Sequence, residues 1–172
     1  TLLGNPAQAI DLGDGTDTVT FNTNVYGMTV SNTETINAAA NFDDITIVNS
    51  ATGNTTITAG MGADVVTASA GQDNFRFTST ADSAAGAADT IYNFDAGHDT
   101  FTLSGVGIAG DHVEFVGGGT LLGSGQASAH LQNFGPGNDL LQIDTDGDGT
   151  SDMDISLQYL QDSLHNSNFL LT

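Results

Sequence analysis

The chain has 172 residues and carries 21 acidic side chains against one basic one, Arg76, for a formal charge of −20. That balance leaves no cationic surface for nucleic-acid phosphates and none for an anionic membrane, unless a cation bridges the two. The absence of cysteine excludes a disulfide framework and a thiol site. No apolar run reaches the 18 or so residues of a spanning helix.

Self-repulsion on this scale opposes compaction unless cations offset it, yet Phe, Ile, Val and Leu recur throughout in short strand-like runs. Residues 2–8, with Pro6, read as a lead-in. Residues 11–21 then carry Asp11, Gly13, Asp14, Gly15 and Asp17 ahead of Thr18-Val19-Thr20-Phe21. Glycines that allow a tight turn, a carboxylate closing it and a short β-forming run after it are suited to holding a hard cation. The same D-G pairs also fit a plain β-turn between two strands. Residues 22–34 alternate through Val25, Tyr26, Met28 and Val30. In residues 36–47 the spacing keeps the repeat in step, because Asp44 lies 27 residues, or three nonapeptides, after Asp17. This spacing selects Asp44, with Asp43 beside it, as a candidate ligand. Alanine and asparagine replace the glycines there, so a turn that is distorted or empty of calcium is expected. Residues 50–54 form a turn without a carboxylate, and the 20-residue interval from Asp44 to Asp64 predicts a small insertion in one coil.

Residues 57–77 hold the organising pattern twice. Gly60, Gly62 and Asp64 precede Val65-Val66-Thr67, and nine residues later Gly71 and Asp73 precede Phe75 and Phe77. These units resemble the nonapeptide G-G-x-G-x-D-x-U-x of RTX proteins. That resemblance implies a parallel β-roll with Ca²⁺ held between stacked turns, since one such short strand cannot bury a face alone.

From residue 78 the composition changes. Phe75, Phe77, Ser79, Asp82, Ser83, Gly86, Asp89, Ile91, Phe94, Gly97, Asp99 and Leu103 form a long ordered set. The set resembles the C-terminal region of serralysin-type secreted metalloproteases, where such a segment closes the roll. By that resemblance Asp89 and Asp99 are further calcium ligands, while Ile91, Phe94, Phe101 and Leu103 pack on the end of the roll. Residues 113–116 and 129–131 read as strands around a glycine-rich connection with no G-K-[ST] phosphate loop. Residues 134–141 make another turn closing in an aspartate, Asp139. Asp144, Asp146, Asp148, Gly149 and Asp152 then occupy positions 1, 3, 5, 6 and 9 of an EF-hand-type calcium loop. Position 12 is Ile155 and no helical pattern precedes the loop, so a strand-flanked calcium loop is expected, with Asp154 or water completing it. An acidic surface turn is the other reading. The tail, Asn168 followed by Phe169-Leu170-Leu171-Thr172, resembles the C-terminus of type I secretion substrates, though Leu157, Leu160 and Leu164 also suit a short amphipathic helix.

These readings give an all-β fold: a parallel β-roll/β-helix with calcium-binding turns over residues 1–77, closed by a C-terminal β-rich cap over residues 78–172. His98, His112, His130 and His165 are scattered and none lies in H-E-x-x-H, so no enzyme is expected within these residues. Thr1 is not a translational start, which fits a fragment or processed product. The expected function is a calcium-dependent folding and type I secretion module of a larger extracellular bacterial protein. Its partners would be Ca²⁺ and a type I exporter. The alternatives are a calcium-cemented unit of a surface layer or adhesin, with self-association or cell-surface contacts, and the C-terminal part of a secreted metalloprotease.

Overall fold

The computed structural model describes residues 8–38, 41–48 and 53–172. The expected lead-in, the alanine-rich part of the turn after residue 38 and most of the turn at residues 50–54 lie outside the described residues. Ten short strands alternate between two parallel sheets. One sheet takes β1 (Gln8–Asp11), β3 (Met28–Ser31), β5 (Asp44–Val48), β7 (Val65–Thr67) and β9 (Asp89–Tyr92). The other takes β2 (Thr18–Thr20), β4 (Thr35–Asn37), β6 (Asn54–Thr58), β8 (Gln72–Phe77) and β10 (Thr100–Leu103). Each coil therefore places one strand in each sheet.

Alternation explains why these residues make strands. Ile45 and Ile47, Thr55 and Ile57, and Phe75 and Phe77 point inward, while threonines and other polar residues between them face out. Burying a side chain of this size contributes roughly 1.5–3 kcal/mol, and each strand supplies only one or two of them. No coil closes a core alone, so the core runs along the stack through Val30, Ile36, Ile45, Ile57, Val66 and Ile91. At the C-terminal end it thickens into a set of rings, with Phe94 stacked on Phe101 at 4.4 Å and Phe169 on Phe101 at 5.8 Å.

Coil length is uneven. In the first sheet Gln8 pairs with Met28, Met28 with Ile45, Asp44 with Val65 and Val65 with Thr90. The composition change at residue 78 coincides with a short 3-10 turn, Thr80–Ser83, and the sheets run through it, with β9 on β7 and β10 on β8. The cap consists of β11 (Glu114–Phe115), β12 (Ser128–Asn133), β13 (Asn138–Asp144), β14 (Met153–Gln158) and β15 (Phe169–Leu171). β12, β13 and β14 pair antiparallel, β14 joins β9, and β15 adds parallel to β10. The amphipathic helix allowed for the tail is not formed. Leu157 lies in β14, and after Leu164 the backbone makes a 3-10 turn, Asn166–Asn168, then a strand. Residues in that turn hold Asn168 buried, with its amide nitrogen donating to the carbonyls of Ala96 and Asp99, each at 2.9 Å.

Candidate metal centres

Repeat aspartates precede the inward apolar residues by two positions: Asp43 before Ile45, Asp64 before Val66, Asp73 before Phe75, Asp89 before Ile91 and Asp99 before Phe101. Strand alternation therefore turns each carboxylate inward at the start of its strand, and all five are buried. Stacking of the coils lines them up in two columns.

On the β3–β5–β7–β9 side, the Val25 amide donates to Asp43 Oδ1 at 2.6 Å. The Asp43 amide donates to Asp64 Oδ1 at 2.7 Å, and the Asp64 amide to Asp89 Oδ1 at 2.9 Å. Across the roll, the Asp17 amide donates to Glu34 Oε2 at 2.7 Å, and the Asp73 amide to Asp99 Oδ1 at 2.9 Å. In each of these bonds a carboxylate accepts an amide from the preceding coil, and Thr55, aligned with Asp73, interrupts the second column.

Only part of each carboxylate is satisfied. Asp17 Oδ2, Asp64 Oδ2 and Asp73 Oδ1 are buried with no hydrogen-bond partner. Burial away from water pushes the Asp64 carboxyl up to about 7, Asp99 up to about 7 and Asp89 up to about 8, and raises Asp73 as well. Repulsion along the columns adds to this, from Asp43 and Asp82 on Asp64, and from Asp64 and Asp82 on Asp89. The backbone donors only partly oppose it. Buried carboxylates with unfilled oxygens, stacked without a cationic side chain, fit a hard divalent cation that takes six to eight oxygen ligands. When bound, Ca²⁺ would supply the missing positive charge at Asp17, Asp64, Asp73, Asp89 and Asp99.

Glycine makes the turns possible. Gly60 and Gly62 have φ of 92° and 141°. A Cβ on Gly62 would lie 2.8 Å from the Asn41 carbonyl carbon, so no side chain fits between these coils. Gly13 and Gly15 are also left-handed, whereas buried Gly71 has no positive φ and donates its amide to Ser69 Oγ. Asp11 is exposed, accepting from the Gly13 amide and from Asn32, and Asp14 lies exposed in the turn.

The structure corrects the choice of Asp44. The column residue is Asp43, aligned with Asp64, while Asp44 stands on the outer face of β5. Uneven coils make nonapeptide counting slip by one position, and in a strand one position reverses the face. The spacing D-x-I-x-I from Asp43 was the signal that could have found it. Glu34, also in a column, stands two residues before buried Ile36 too, but with glutamate in place of the repeat aspartate and without a second inward isoleucine after it.

A separate cluster lies in the loop joining β13 to β14, where one ligand oxygen from each of Asp144, Asp146 and Asp152 falls within 4.8 Å of the others. Opposite ligands of a Ca²⁺ ion are about 4.6–5.2 Å apart at the usual bond lengths, so these three span a coordination sphere. Buried Asp144 organises the loop: its Oδ1 accepts the Gly147 amide at 2.7 Å and its Oδ2 the Gly149 amide at 2.7 Å. Asp152 Oδ2 accepts the Thr145 amide at 2.8 Å. Gly147 has φ of 78°, and a Cβ on it would lie 2.5 Å from the Gly125 carbonyl carbon, where the glycine-rich connection packs on the loop. Asp148 is exposed, accepts the Thr150 amide and stays outside the group of three. Asp154 bonds to Gln142 and Ser151 instead of entering it. Asp139 is elsewhere, bonded to Asn133 at 2.6 Å.

The chain matches the family described as peptidase M10 serralysin C terminal over residues 11–171, and it belongs to that family. The family's domain is a calcium-associated β-roll of secreted proteins, and it is the non-catalytic C-terminal part of serralysin-type proteases. No curated protein matches the chain.

Proposed function

We propose that the chain is a calcium-dependent folding and export module of a larger extracellular bacterial protein and carries no catalysis itself. The observation that carries this reading is the pair of buried carboxylate columns with unpartnered oxygens on Asp17, Asp64 and Asp73. With the carboxylates ionised and no cation present, burying them costs more than the short strands return, and the chain stays open. Extracellular Ca²⁺ binds the folded columns and the loop at Asp144, Asp146 and Asp152, and so draws the chain into the roll by mass action. An open chain suits passage through a type I exporter, and it leaves the 168–172 tail accessible until β15 docks on β10.

A second reading, a structural unit of a surface layer or adhesin, is favoured by the outward-facing Tyr26–Phe42 stack. Its ring centroids are 5.8 Å apart and its side chains are 53% and 40% exposed. The experiment is far-UV circular dichroism with a calorimetric Ca²⁺ titration, repeated with Mg²⁺ at equal ionic strength. The proposal expects a coil-like chain in chelator that gains β signal with Ca²⁺ and binds several ions. A chain already folded in chelator, or folded equally by Mg²⁺, would sink it.

A further inference from the structure

Asp139 has no place in either carboxylate column or in the Asp144 loop, and its position points to a different use. It lies on the rim of a cleft of about 380 Å³ between the outer strands of the cap and the segment following β14. Phe115, Leu131, Leu160 and Leu164 form the floor, and Asp162 stands on the rim with Asp139.

Three features single this cleft out. Its size lies within the range of small-ligand sites, and its lining sets four large apolar side chains beside Asn133, Asp139, Asp162 and Ser163. Its rim is acidic without internal compensation. Asp139 bonds to Asn133 through Oδ1 only, and the single Arg76 is spent on Ser104. Asp162 Oδ2 and Asp95 Oδ1 both lie close to the point where a side chain on Gly97 would begin, at 3.2 and 3.1 Å, so two like charges converge there. Finally, the segment carrying Leu160 and Asp162 is held in an unfavourable shape, with φ of 58° at both Tyr159 and Asp162, neither a glycine. Left-handed non-glycine residues persist where surrounding structure enforces them, and they gather at binding sites.

An apolar floor under an anionic rim is complementary to an aliphatic stem ending in a cation. We propose that this cleft binds a lysine side chain presented by a basic peptide segment of a partner. The butyl stem lies on Leu131, Leu160 and Leu164, and the ammonium sits between Asp139 and Asp162. This goes beyond calcium-dependent folding and requires only that the roll be folded.

The test is a methyl-detected NMR titration of the calcium-saturated chain with Nα-acetyl-lysine methylamide and with its uncharged counterpart, Nα-acetyl-norleucine methylamide. Saturable shifts confined to the methyls of Leu131, Leu160 and Leu164 are expected with both ligands. Lysine should bind about two- to five-fold more tightly, the range for a solvent-accessible charge pair. The Asp139→Asn/Asp162→Asn double variant should lose that preference and keep norleucine binding. Equal affinity for the two ligands on the unaltered chain would overturn the proposal, and this comparison stands even if the variant fails to fold. So would lysine shifts scattered over the acidic surface, a preference retained in the double variant, or shifts at these methyls with a neutral oligosaccharide but none with lysine.

Discussion

Asp64→Asn should change stability with opposite signs in chelator and in calcium. Asn keeps the Oδ1 acceptor for the Asp43 amide and removes the charge that Asp64 carries beside an unpartnered Oδ2. Burial raises the Asp64 carboxyl from 3.8 to about 7, so holding it ionised in the fold at pH 7.5 costs roughly 4 kcal/mol at about 1.4 kcal/mol for each unit. The new Nδ2 sits where Oδ2 had no partner, and an unsatisfied buried amide returns about 1–3 kcal/mol of that. The calcium-free fold should therefore gain about 1–3 kcal/mol. In saturating Ca²⁺ the variant lacks a charged ligand. A site filled at 100 times its dissociation constant contributes about 2.7 kcal/mol, so a loss of up to that size is expected. The assay is osmolyte-induced folding in chelator and urea unfolding in Ca²⁺, both followed by circular dichroism at pH 7.5. Destabilisation in both conditions would refute the reasoning, because it would mean that the Asp64 charge stabilises the fold without a cation.

Two further outcomes follow from the same geometry. In chelator the fold should be favoured by acid. Asp64, Asp89 and Asp99 have folded-state values raised above those of the open chain, so the folded state binds more protons and loses stability as pH rises from about 4 towards 8. In saturating Ca²⁺ the trend should reverse, since protons compete with the cation for the same oxygens. Circular dichroism at pH 5 and pH 8 checks this, and chelated protein that is no more folded at pH 5 than at pH 8 would count against it. Gly147→Ala should weaken the Asp144 loop by about 1–3 kcal/mol, from a left-handed φ and a Cβ driven into the 125–126 backbone. It should leave the columns intact, so calorimetry should show one class of Ca²⁺ sites weakened or lost. An unchanged titration would place the binding elsewhere.

What the sequence made legible, and what it hid, divides along the range of the forces involved. The pattern D-x-U-x encodes one local fact, a carboxylate and an apolar residue on the same strand face. From it Asp64 and Asp73 can be read without knowing the stack, whereas Asp89 and Asp99 enter through the resemblance to serralysin-type proteases. The loop at Asp144 was equally legible, because its glycines and aspartates satisfy one another within nine residues. Column membership is different, since it depends on which residue lies one coil away. That distance shifts whenever a turn lengthens, as between Asp44 and Val65 and again between Val65 and Thr90. Counting by nines therefore chose Asp44, while the inward face belongs to Asp43. Glu34 and Asn168 were hidden for the same reason: their partners, the Asp17 amide and the carbonyls of Ala96 and Asp99, are set by stacking and by the docking of β15. Asn168 adds a consequence. Its bond to the Asp99 carbonyl ties the tail to the residue whose carboxylate accepts the Asp73 amide. A cation that ordered this column would also steady the point where the last strand docks, so closure of the roll and burial of its C-terminal segment are expected to be lost together when Asp99 or Asn168 is replaced.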